Sequence, residues 1–118
     1  MFELNGRKYD KLSVHDINGR LDFEKEIKSY YAANGWSQKV YLITDYRNDC
    51  CVEFPVWSNG PINAVKKYLE EKGEIGKKIV PFLRKEYFAL NLTCPLDIQV
   101  RGPYKDYCFA AGYNFVIQ

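Results

Sequence analysis

QKVYLITDYRNDCCVEFPVW, residues 38–57, holds two apolar runs separated by a polar break. In the first run Val40 and Leu42 alternate with Tyr41 and Ile43, and in the second Val52, Phe54 and Val56 fall on one side of an extended chain. Tyr46 to Asp49 are left to join them. Two strands that return through so short a turn must pair antiparallel, so the rest of the chain is read against an antiparallel sheet.

The same stretch contains adjacent cysteines. Successive strand side chains point to opposite faces, so Cys50 and Cys51 cannot both aim at one metal or substrate. Cys50 shares the face of Val52, Phe54 and Val56 and is expected to be buried, with Cys51 the more exposed. Zinc needs four ligands, and Cys50, Cys51, Cys94, Cys108 and His15 offer no C-x₂-C pair. No metal site and no cofactor is expected, and the thiols are expected to stay reduced. Pro55 cannot donate to a sheet ladder, which places its strand at an edge or at a bulge. An edge invites strand pairing, so self-association through residues 51–57 follows as an expectation.

Outward from this hairpin, Asn5-Gly6 predicts a tight turn between short strands within Phe2–Tyr9. DFEKEIKSYYAAN predicts a helix from Asp22 to Asn34, capped by Asp22, with Glu24 and Glu26 in its first turn and Gly35 ending it. A second helix is predicted from Pro61 to about Lys72, with a stripe of Ile62, Val65, Tyr68 and Leu69 and a stop at Gly73. Pro81 is read as opening a short helix through Lys85, followed by a strand over Glu86–Thr93. LDIQVR then leads to a turn at Gly102-Pro103, and Tyr107, Phe109, Tyr113 and Phe115 share one face of a last strand. The fold class is therefore α+β: a single domain over residues 1–118, with an antiparallel sheet of about five to six strands built from hairpins and two main helices packed on it.

The composition narrows the function. A chain of 118 residues with 47% apolar content can close one core unaided. A net charge of +2 is too small to predict a nucleic-acid or membrane partner from bulk electrostatics. No signal-like N-terminus and no run of roughly 18 apolar residues is present, so an intracellular, cytoplasmic protein without membrane contact is expected. No catalytic residues are assigned. His15 is the lone histidine, Asp45 and Asp49 read as turn carboxylates that cap their own backbone, and Gly73 to Lys78 lacks phosphate-loop spacing.

Two groups remain for recognition. Arg101, Tyr104, Lys105 and Tyr107 interleave cations with phenol rings around the expected Gly102-Pro103 turn, a mixture suited to protein interfaces and to nucleic-acid stacking. Lys77, Lys78, Arg84 and Lys85 form a second basic cluster around Pro81. The leading expectation is a non-enzymatic protein-binding domain, such as a small inhibitor or adaptor of phage or mobile-element type acting on a host protein. A nucleic-acid-binding domain is the alternative, and an enzyme with an unrecognised site comes third.

Overall fold

The structure is a computed structural model that describes residues 2–35, 38–81, 97–105 and 108–118, apart from the side chains of residues 50, 105 and 108–111. Phe2–Leu4 (β1) and Arg7–Tyr9 (β2) form the expected hairpin, with Asn5 and Gly6 both at positive φ in the turn. A two-residue strand, Leu12–Ser13 (β3), leads into helix α1, Ile17–Asn34. Lys39–Asp45 (β4) and Asp49–Ser58 (β5) make the hairpin of the opening stretch, in the register Tyr41↔Val56 and Ile43↔Phe54. Helix α2 covers Pro61–Glu71, with proline in its first turn as expected. Ile79–Pro81 (β6), Ile98–Lys105 (β7) and Cys108–Ile117 (β8) complete the described elements. The six strands after the first hairpin join one antiparallel sheet in the order β3-β5-β4-β7-β8-β6. The protein is α+β, and its described residues form two helices on a sheet of six antiparallel strands with a separate two-stranded sheet.

Strand alternation sorts the apolar residues into two cores on opposite faces of the large sheet. Tyr41, Ile43, Phe54, Val56, Ile98, Val100 and Phe115 meet Ala64, Val65, Tyr68 and Leu69 of α2. Val40, Leu42 and Tyr104 meet Phe23 and Ile27 of α1, together with Leu4 and Tyr9 of the first hairpin. β4 is thus buried on both sides, which is why both of its alternating sets are apolar. The expected stripe of α2 holds except at one position, since Ile62 is exposed and Ala64 takes its place in the core.

Three expectations are corrected. First, α1 begins five residues before Asp22, and Asp16 caps it by accepting from Gly19 N at 3.0 Å. Asn18-Gly19 lies within the helix, and Glu24 and Glu26 lie beyond its first turn. The glycine is what lets the cap close, because a Cβ at position 19 would stand 2.7 Å from Oδ2 of Asp16. Second, Gly102-Pro103 is no turn. β7 runs through it to Lys105, and the hairpin to β8 closes later. Third, Pro81 ends strand β6 instead of opening a helix. The helix and strand expected beyond it fall on residues 82–96, outside the described residues.

Pro55 lies where its missing donor costs nothing. Its register partner is Leu42, and the hydrogen-bonding groups at positions 51, 53, 55 and 57 face away from β4. β3 covers this outer edge at Glu53, and Cys51 O accepts from Val14 N at 3.0 Å. Farther along, Trp57 O accepts from Lys67 Nζ at 2.7 Å. The edge expected to invite pairing is therefore partly covered and partly capped.

Candidate functional site

Arg101 and Tyr104 do come together, but as parts of a polar cluster set into the α1 face. Glu53 is 1% exposed in the middle of an apolar strand, on the face opposite Phe54 and Val56. Arg20 of α1 and Arg101 of β7 both pair with its carboxylate, one guanidinium on each oxygen. A buried carboxylate left alone would cost several kcal/mol, and two guanidiniums supply the compensation. Arg101 is two-thirds buried, and both burial and the like charge of Arg20 lower its pKa.

Tyr104 is 3% exposed, with its ring edge-on to Phe23 at 6.3 Å and its hydroxyl donating to Glu24 Oε1 at 3.0 Å. Burial, then the Glu24 carboxylate, push its phenol up to about 12. Arg101 and Tyr104 thus belong to a strand, with Tyr104 set in a core, and not to the expected turn. Strict alternation from Ile98 and Val100 would also put Tyr104 on the α2 side. Across Gly102, at φ +148°, the strand changes face and the ring enters the α1 core. Removing Tyr104 therefore opens a core before it tests any contact.

A second polar cluster closes the β4–β5 turn. Asp45 is fully buried and accepts from Arg47 N, Nε and Nη2, from Asn48 Nδ2 and from the Tyr68 hydroxyl. Arg47 turns its other side to Glu74, making two bonds of 2.8 Å. Burial pushes the Asp45 carboxyl up, but the Arg47 and Tyr68 donors outweigh it and hold the group below its ordinary value. The Tyr68 phenol is raised by burial and by Asp45. Asp49 accepts from Cys51 N at 2.8 Å, so both turn carboxylates do cap nearby backbone as their sequence context implied. Every oxygen of Asp45 is engaged, which makes this cluster a clamp between a turn and the exit of α2.

Of the remaining candidates, Lys77 and Lys78 are exposed, and Lys78 exchanges backbone hydrogen bonds with Gln118. Tyr107, Arg84 and Lys85 lie outside the described residues, as does the side chain of Lys105. Cys51 is exposed as expected, and the side chain of Cys50 is outside the described residues. Among the described residues, no group of three or more His, Cys, Asp or Glu could hold a metal ion. No helix among them is long and apolar enough to cross a membrane.

What sequence reasoning missed is the outward face of α1. Ile17 is 72% and Leu21 51% exposed, one turn apart, and Val14 just ahead of the cap is exposed as well. A different face of the same helix buries Phe23 and Ile27. The signal was present in the sequence, because extending the helix back to Ile17 places Ile17 and Leu21 at i and i+4, away from Phe23 and Ile27. With the helix started at Asp22, both fall outside it. Comparison with protein-family models, with curated proteins and with solved structures found no match for this chain.

Proposed function

We propose that this is a non-enzymatic protein-binding domain of the inhibitor or adaptor kind, and that it engages its partner through the outward stripe of α1. The observation that carries the reading is the exposure of Ile17 and Leu21 on a helix whose other face is fixed in the core. Single exposed apolar side chains are ordinary, but a helical i, i+4 pair is the spacing at which grooves take up a helix face. Burying each such side chain in a partner is worth roughly 1.5–3 kcal/mol. The helix is anchored through Asn5 Nδ2 to Glu26 O at 2.8 Å and through the Arg20–Glu53 pair, so little ordering cost falls on association. The polar clusters support the same reading, since their charged groups already satisfy one another.

The test compares wild type with the double variant Ile17→Asp, Leu21→Asp, each used as bait in the cell where the protein acts. A specific protein recovered by wild type and lost with the variant is the expected result. Both positions are exposed, so stability should change by less than about 1 kcal/mol. Equal recovery by a folded variant would refute the assignment.

A further inference from the structure

The charge pattern of α1 says what kind of surface its stripe accepts. Lys25 and Lys28 follow Ile17 and Leu21 on the same helical face, at i+4 and i+7 from Leu21, and both are exposed. The acids of the helix are each only partly exposed, and Glu24 shares the lysines' face at i+3 from Leu21. Asp22 pairs with Arg7 of β2 at 3.7 Å, Glu24 accepts from the buried Tyr104 hydroxyl, and Glu26 is half-buried on the flank that holds the first hairpin. Arg20 is committed to Glu53. Among the described residues neither Lys25 nor Lys28 takes part in an ion pair. The helix thus presents on this stripe two exposed apolar side chains and two exposed ammonium groups, with the partly buried Glu24 among them held by the Tyr104 hydroxyl. Its overall sequence is nearly balanced, so the asymmetry is made by the fold and not by composition.

We infer that the stripe binds an acidic amphipathic segment of a partner protein, with apolar side chains against Ile17 and Leu21 and carboxylates against Lys25 and Lys28. The inference rests on the protein-binding reading and specifies its partner chemistry. A neutral apolar helix would satisfy the first half of the stripe and leave the lysines unused. A basic one would meet like charge, which costs specificity and association rate. Nucleic acid would use the lysines and leave the two apolar side chains wet.

The experiment is a selection from a random library of displayed peptides about 15 residues long, roughly four helical turns, on the intact protein. Three baits are used: wild type, Leu21→Asp, and the double variant Lys25→Glu, Lys28→Glu. Circular dichroism confirms that each bait is folded. A fluorescent single-stranded oligonucleotide of random sequence is titrated in parallel. Peptides enriched on wild type are expected to carry net negative charge and apolar residues at i, i+3 or i+4. They should be lost on Leu21→Asp and bind the charge-reversed bait about tenfold or more weakly at low salt, a gap that narrows as salt rises. Enriched peptides that depend on Leu21 but are neutral or basic would overturn the partner chemistry and leave the protein-binding reading standing. Enrichment indifferent to Leu21→Asp, or none at all, would overturn both. Oligonucleotide binding that fails on charge reversal but survives Leu21→Asp would assign the lysines to nucleic acid instead.

Discussion

A methyl group at Gly102 would lie 2.8 Å from Cδ1 of Tyr41 and 3.0 Å from the carbonyl oxygen of Val40, and the residue's φ of +148° is one that side chains rarely adopt. The β4–β7 register ends at Leu42↔Arg101, just short of this approach. Pro103 has no donor to carry it on, and Val40 N donates instead to the Tyr31 hydroxyl at 2.7 Å. Gly102→Ala combines overpacking with backbone strain and is expected to cost about 3 kcal/mol. Gly112 sits opposite Arg101 on β8, and nothing lies within 4 Å of a Cβ added there. Gly112→Ala should be neutral or slightly stabilising through the unfolded chain. Urea denaturation of the two variants checks the contrast, and equal midpoints would show that the close approach carries no weight.

The β4–β5 hairpin and α2 are joined by the Asp45–Arg47–Glu74 clamp, and this makes the element pair sensitive to acid. The folded state holds the Asp45 carboxyl below its ordinary pKa, so its contribution is complete above the unfolded value and is lost as pH falls through the depressed folded one. Asp45→Asn should cost about 2–4 kcal/mol at neutral pH, since it leaves Arg47 and Tyr68 facing a neutral group. The gap to wild type should shrink on acidification, and stability curves at several pH values measure it. A gap constant with pH would mean that shape, not charge, matters at Asp45. At this scale much was legible: the Asn5-Gly6 hairpin, the 39–58 hairpin and α2 follow from turn chemistry and apolar period. Tyr104 was not, because period-2 alternation has no way to signal a change of face at one glycine. Glu53 showed only as a charge in an apolar run, and its partners Arg20 and Arg101 are 33 and 48 positions away along the chain. The start of α1 was misread because Asn-Gly favours turns in general, whereas here Asp16 supplies the cap and Gly19 the room for it.

At the scale of the whole molecule, the two cores share one sheet, so neither helix packs on a surface of its own. Val65→Ala on the α2 side and Ile27→Ala on the α1 side should each cost roughly 1–4 kcal/mol. Each should shift one common transition, seen alike by far-ultraviolet circular dichroism and by resolved amide resonances. Separate transitions for the two faces would show the cores to be independent. β4 gives the reason for expecting one: Val40 and Leu42 are set in one core, Tyr41 and Ile43 in the other, all at 3% exposure or less. Opening its ladder strips both cores at once, so its amides can exchange with deuterium only when the entire fold comes apart. A single protected resonance at Leu42 or Ile43 would then serve as a gauge of global stability, reporting a loss on either side of the sheet without a probe on the helix that suffered it.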